Sequence, residues 1–281
     1  MIKLALSDVD GTLVPFGHQH VSLRTLEAIR TLKDAGIHFG LATGRDEPDL
    51  IRQFCGHSWP FDTGILSNGK KIMVDGEIAC LTLIDNDAVA RVASLALEYP
   101  ESFVSVYPLD AVPSDRVYCI GATKEQIAPW LMSVGADAVL TERMPDVQIL
   151  GATIACNHSQ QMMEELIARA ERECPELDFA QPFPQWCDIL PKGLNKGSAL
   201  PILLKALGIT TDEMVFFGDA ENDLALLGAV ENSVAVANAA PAAAAAARWH
   251  IGACEDDAVA LALEQIAQST RDGVTPTFMR S

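Results

Sequence analysis

The sequence predicts an α/β protein, a doubly wound parallel sheet with a smaller α+β domain inserted into it. Three observations carry this. Over residues 1–80 short apolar runs alternate with amphipathic stretches in the order strand, helix, strand, helix, strand. The same alternation resumes near residue 190 and continues to the end of the chain. Between them, over 81–189, a helix is followed by closely spaced β-like runs, the texture of a separate unit. The expected organisation is therefore a core from 1–80 and 190–281 around an insertion at 81–189.

Each element has a local reason. Ile2 to Ser7 reads as a buried strand. Ser22 caps a helix carrying Leu23, Leu26, Ile29 and Leu32 on one face, and Gly36 closes it. Ile37 to Ala42 is the second strand, the stretch after Thr43-Gly44-Arg45 is helical to Phe54, and Gly64-Ile65-Leu66 is the third strand. Lys71 to Thr82 reads as a hairpin, because Asp75-Gly76 suits a two-residue turn. The insertion supplies a helix over 85–98, strands near 102–107 and 115–120, a helix opened by the capping pattern Thr123-x-x-Gln126, further strands and a helix over 159–173. After the Pro-containing stretch Pro182 to Pro191 come helix 197–207, strand Met214 to Phe217, helix 221–228, strand Ser233 to Ala237 and a helix from about 257.

Composition narrows the function. The 281 residues are 49% hydrophobic and 21% charged, enough to bury a full core. A net charge of −18 repels nucleic-acid phosphates and anionic lipid, and no Lys/Arg block interrupts it, so neither a nucleic acid nor a membrane is expected as partner. No apolar run approaches the roughly 20 residues that cross a bilayer. The apolar start, Met1 to Leu6, is too short for a signal peptide, so a cytoplasmic location is expected. Seven cysteines with no C-x-x-C pair read as reduced, mostly buried thiols.

Two acidic groups sit where such sheets place their ligands, just past the carboxyl ends of strands. In Asp8-Val9-Asp10-Gly11-Thr12 the alternation of an extended chain puts Asp8 and Asp10 on one side, about 6 to 7 Å apart. Gly218-Asp219-x-x-Asn222-Asp223 follows the apolar run Met214 to Phe217. Carboxylates gathered in one site repel one another unless a cation neutralises them, and an all-oxygen set suits Mg²⁺. Taken singly, each piece has a plainer reading. D-x-D-G is also a solvated turn or a fragment of a calcium loop, Thr43-Gly44 a strand-to-helix turn, and Asn195-Lys196-Gly197 a helix start. The calcium loop fails because Val14-Pro15-Phe16 follows where oxygen ligands are needed.

As an ordered set the motifs are specific. Asp8-Val9-Asp10-Gly11-Thr12-Leu13, Ala42-Thr43-Gly44-Arg45, Ser67-Asn68-Gly69, Asn195-Lys196-Gly197, Gly218 to Asp223 and Val234 to Ala239 together resemble the haloacid dehalogenase (HAD) superfamily, in its Cof-like, type IIB capped phosphatases. The resemblance implies a Rossmann-like core with a C2-type cap at the insertion, and hydrolysis of a small phosphorylated metabolite. It implies that Asp8 attacks phosphorus to give an aspartyl-phosphate. Asp10 would protonate the leaving group and then deprotonate water, its pKa raised by crowding against Asp8. Asp8, the Asp10 carbonyl and Asp219 would hold Mg²⁺, with Asp223 in support. Thr43 and Lys196 would hold the phosphoryl oxygens, with Gly44, Arg45, Asn68 and Asn222 also at the phosphate or substrate. Asn222 would orient Lys196 or the phosphate, while Arg45 either reaches substrate or braces the first helical turn.

The remaining conspicuous residues read as structural. His18 and His20 read as solvent-facing loop residues, with contact to substrate near the cap hinge as the other option, Glu255-Asp256-Asp257 as acids at a helix N-terminus, and Met162 and Met163 as helix packing, while Trp186, which with Gln185 and Cys187 could face the cleft, reads as core packing. The insertion is the more acidic part, with 17 acidic against 6 basic residues, which argues against polyphosphorylated substrates and for a neutral sugar phosphate or similar metabolite. Two other readings share the residues: a phosphotransferase or phosphomutase, and a receiver that is only phosphorylated on Asp8.

Overall fold

The computed structural model describes residues 1–110, 116–128 and 137–280, with the backbone alone at Pro182 and Phe183. The chain divides into two compact units, Met1–Leu81 with Asn195–Ser281, and Thr82–Leu194.

The first unit is built on an eight-stranded sheet. Its strands are β1 (Leu4–Ser7), β2 (His38–Ala42), β3 (Gly64–Leu66), β4 (Lys71–Val74), β5 (Glu77–Leu81), β12 (Met214–Gly218), β13 (Asn232–Ala235) and β14 (Trp249–His250). The order is β14-β13-β12-β1-β2-β3-β4-β5, parallel from β14 to β3 and antiparallel through the β4–β5 hairpin. Its central strands are near-continuous apolar runs because helices cover both faces. Alternate residues divide accordingly. Ala5, Val215 and Phe217 pack with Ile29, Leu32 and Leu263, from helices Leu23–Asp34 and Ala258–Asp272. Leu4, Leu6, Met214 and Phe216 pack with Leu200, Leu203, Leu226 and Leu227, from helices Lys196–Leu207 and Leu224–Ala229.

Local chemistry agrees with the sequence at most ends. The Ser22 side chain accepts from the Thr25 N–H, and Asp75 and Gly76 take the positive φ values (50° and 83°) of the hairpin turn. Three expectations are corrected. Leu23 is 77% exposed, and the buried face of its helix is Thr25, Ala28, Ile29 and Leu32. The stretch 221–228 splits into a 3₁₀ turn, Glu221–Asp223, and helix Leu224–Ala229. Strand 233–237 is Asn232–Ala235, and β14 is a two-residue strand too short to leave a periodicity.

The second unit has a six-stranded sheet of β6 (Ser102–Pro108), β7 (Arg116–Ile120), β8 (Asp137–Thr141), β9 (Ile149–Cys156), β10 (Leu177–Phe183) and β11 (Trp186–Pro191), in the order β10-β11-β9-β6-β7-β8. Helices Asn86–Ala96 and Gln160–Glu173 share one core with it. Thr123 and Gln126 exchange both bonds of a capping box, and the described helical residues they open are 124–128. The Pro-containing stretch is in fact the β10–β11 hairpin. Proline is tolerated in β10 because that strand is an edge. The unit also extends past residue 189, since β11 pairs with β9 and Lys192 and Gly193 bond Asp178 on β10. All seven cysteines are free, five of them buried. No helix among the described residues is long and apolar enough to cross a membrane.

Leu32→Ala, at a fully buried site, is expected to cost about 2–5 kcal/mol and Leu23→Ala within about 0.5 kcal/mol, read from urea unfolding midpoints.

Candidate active site

The sheet order reverses at β1, whose neighbours are β2 on one side and β12 on the other, so the chain leaves these strands on divergent paths and opens a crevice at their carboxyl ends. Asp8 extends the ladder by donating its N–H to the Phe217 carbonyl (2.9 Å), which sets it beside the end of β12. The next turn is tight. Leu13 and Val14 donate N–H to the Val9 carbonyl, Gly11 donates to Val14, and Gly11 takes φ +81°. The turn delivers the Thr12 hydroxyl to Asp219 Oδ1 at 2.9 Å. A Cβ on Gly11 would stand 2.5 Å from Asp219 Oδ2, so glycine is required here both by φ and by space.

Lys196 comes from the opposite side of the chain's order. Asn195 and Ser198 form a reciprocal capping box (both bonds 2.9 Å) that starts helix Lys196–Leu207, and a Cβ on Gly197 would lie 2.6 Å from the Ala225 Cβ. With the helix so fixed, Lys196 is 2% exposed and donates to Asp8 Oδ1 (2.6 Å) and Asp223 Oδ1 (2.8 Å). The other Asp223 oxygen accepts the N–H groups of Asp219 (3.1 Å) and Ala220 (3.3 Å), which folds the loop after β12 around it.

Asp8, Asp219 and Asp223, all buried, bring ligand oxygens within 4.8 Å of one another. Burial pushes Asp8 up to about 8 against the pull of Lys196, with Asp223 adding to the rise. Burial likewise raises Asp219 to about 6, against the Thr12 hydroxyl. For Lys196 burial works to lower the pKa, but the Asp8 and Asp223 charges outweigh it and hold the ammonium well above the ordinary lysine range. One ammonium among three carboxylates leaves the cluster short of positive charge. Asp223 has both oxygens engaged, whereas Oδ2 of Asp8 and of Asp219 stands outside these bonds. Such a donor set suits a hard divalent cation.

The second and third strands add a rim. Thr43 is buried at the end of β2, and its hydroxyl accepts the Arg45 N–H (3.1 Å). The carbonyls of Thr43 and Arg45 accept the N–H groups of Asn68 and Ser67 (2.9 Å each), and the Asn68 amide lies 3.1 Å from where a Cβ on Gly44 would stand. Arg45 grips Asp10 with two parallel bonds, Nε to Oδ2 and Nη2 to Oδ1, both 2.8 Å. The Gln53 amide also donates to Asp10 Oδ1, at 3.4 Å.

The structure thus brings together Asp8, Lys196, Asp219 and Asp223, and sets Thr43, Gly44, Asn68 and Arg45 on the ends of the adjoining strands. Two expected arrangements differ. The Asp10 carboxyl, 40% exposed, lies on Arg45, and the carboxylate crowding falls on Asp8 and Asp219. Asn222 is exposed, and Lys196 is oriented by Asp8 and Asp223 instead. His18 and His20 are exposed as expected. Sequence reasoning missed Thr12 and Asn238 as positioning groups. Asn238 donates to the Gly11 carbonyl (2.7 Å) and accepts the Cys254 N–H (2.8 Å), tying the Asp8 turn to the far end of the unit. Its signal was present in the segment Val234 to Ala239, but the residue carries no charge to single it out.

Comparison with known proteins places the chain in context. The family model for haloacid dehalogenase-like hydrolases matches residues 5–263. A protein named HMP-PP phosphatase from Yersinia pseudotuberculosis serotype O:1b (strain IP 31758) is 29% identical, over 99% of this chain and 100% of its own. Among solved structures, a haloacid dehalogenase-like hydrolase from Bacteroides thetaiotaomicron has a TM-score of 0.81 at 21% identity, over 95% of this chain and 100% of that one. The HAD subclass IIB sugar phosphatase BT4131 has a TM-score of 0.75 at 19% identity, over 94% and 98%. These structural likenesses establish a shared fold.

Lys196→Met is expected to cost about 3–5 kcal/mol, because it leaves Asp8 and Asp223 buried without a cation. The deficit should be largest near pH 9 and shrink toward pH 6, where Asp8, raised to about 8, has taken up its proton and no longer needs the ammonium. Urea midpoints of both proteins across that range, in chelator, read the effect.

Proposed function

The chain belongs to the haloacid dehalogenase-like hydrolases, and from that premise we propose that it hydrolyses a small phosphate monoester through an aspartyl-phosphate on Asp8. The observation that carries this reading is the buried Asp8–Lys196–Asp223 chain with Asp219 beside it, at the carboxyl ends of two adjacent parallel strands.

In this reading the Asp8 carboxylate forms a bond to phosphorus as the ester bond breaks, and Asp10 gives its proton to the departing alkoxide. Asp10 then takes a proton from the water that attacks the same phosphorus, freeing Asp8 and inorganic phosphate. Lys196 balances the charge of Asp8 and, with the Thr43 hydroxyl, of the phosphoryl oxygens. Arg45 holds Asp10 at the mouth of the site and yields one of its oxygens to the leaving group. Mg²⁺, held by Asp8, Asp219 and the Asp10 carbonyl with Asp223 fixing the loop, would supply the positive charge the cluster lacks. We assign the inserted unit, Thr82–Leu194, the part of a cap domain. Its acidic character supports a sugar phosphate or a similarly small metabolite as substrate. Seven free thiols suit a reducing compartment, and we place the enzyme in the cytosol.

The test is phosphate release from a panel of sugar phosphates, HMP-PP and p-nitrophenyl phosphate. Wild type with Mg²⁺ should release phosphate, while chelated enzyme and Asp8→Asn should fall by at least about a hundredfold; full activity in Asp8→Asn would overturn the mechanism. Because a divalent cation competes with the protons on Asp8 (about 8) and Asp219 (about 6), Mg²⁺ affinity should rise steadily from pH 5 to pH 8.5. Calorimetric titration measures this, and proton release should accompany binding.

A further inference from the structure

We infer that Phe16 is a specificity-determining residue, a stacking platform for leaving groups that present a flat or apolar ring face. Among the described residues it is the only aromatic side chain in open solvent, with 69% of its surface exposed, whereas the other described Phe, Tyr and Trp side chains are buried or partly buried. Its position sets it apart from the exposed aliphatic residues. The ring tip abuts the Gly11 turn: a Cβ on Gly11 would stand 2.8 Å from Phe16 Cε2 and 3.0 Å from Cζ, and the same point is 2.5 Å from Asp219 Oδ2. An exposed phenyl ring and a carboxylate of the metal-type cluster therefore border one spot, one residue along from Asp10.

Burying a Phe side chain stabilises a fold appreciably, and this loop leaves that gain unused. Val14, two residues earlier, is buried in the core, and Phe16 and Gly17 are the central pair of a turn closed by the His18 N–H on the Pro15 carbonyl (3.0 Å), with Gly17 at φ +85°, so the turn presents the ring at its tip. What the ring does have is an edge against the Gly11 turn, next in the chain to Asp10, and a surface open to solvent on which a ring esterified to the phosphate would stack. Stacking of a ring on that face suits a pyrimidine or other unsaturated ring, or the C–H face of a sugar. The inference rests on the reading of Asp8 as the phosphate end of the site. It narrows the substrate class to ring-bearing monoesters over open-chain ones.

The experiment compares benzyl phosphate with propyl phosphate in wild type, Phe16→Ala and Phe16→Tyr, with Mg²⁺ present. The preference for the ring ester, read as the ratio of the two kcat/KM values, should fall about two- to tenfold in Phe16→Ala, carried by KM, and be restored in Phe16→Tyr. An unchanged ratio in Phe16→Ala overturns the inference, as does an equal loss on both esters, which would mark the ring as support for the Gly11 turn. If neither ester is hydrolysed, the phosphatase reading fails separately. Calorimetric affinities of benzylphosphonate and propylphosphonate then decide the ring question, because the same ratio is read without turnover.

Discussion

A single buried ammonium holds the architecture of the site together. Lys196 joins the end of β1 to the loop after β12 through two carboxylates, and it does so from the first residue of a helix. That is an unfavourable place for a cation, since the helix dipole puts partial positive charge there. The two carboxylates offset both the dipole and the loss of water. The consequence is mutual dependence: neither the Asp8 turn, nor the loop over Asp223, nor the start of helix Lys196–Leu207 has a satisfied interior without the other two. The small residues around it follow from the same constraint, because Gly197 lets the helix approach Ala225 and Gly11 leaves room for Asp219.

Two carboxylates only two residues apart end in different surroundings. Asp8 points into the cluster, where burial lifts it and Lys196 opposes the lift. Asp10 faces outward onto the planar fork of Arg45, with the Gln53 amide on the same oxygen. Alternation alone would put both on one side. The bend at Gly11 and the reach of Arg45 from the end of β2 separate their environments, and the proposed division of nucleophile from acid and base rests on that separation.

Much of this was legible in the chain. The alternation of apolar runs carried the parallel sheet, and charged residues at strand ends carried Asp8, Asp219 and Lys196, because a charge set beside a buried strand is costly to desolvate unless a partner or a ligand meets it there. The features that left no trace lack a periodic or ionic signature. The β10–β11 hairpin is hidden by prolines that an edge strand tolerates, and Leu23 fits a helical stripe yet faces water because the buried face of helix Leu23–Asp34 runs through Thr25, Ala28, Ile29 and Leu32. The Arg45–Asp10 and Asn238–Gly11 bonds join residues brought close only by the folded sheet, and no local pattern announces them.

The pairing of β1 with β12 bears on how the chain reaches this state. Leu4 lies against Met214, so the central strand of the first unit gains one of its two neighbours only after most of the chain has been made. At about 5–20 residues per second, roughly 10–40 s of synthesis separate the two strands. During that time a four-residue strand destined to be fully buried has β2 on one side and an open apolar edge on the other. The intervening residues form a compact unit with a core of its own, able to fold while the first unit waits. The emerging chain is therefore most prone to aggregation before its second half arrives, and the Asp8 cluster is assembled among the last features of the protein.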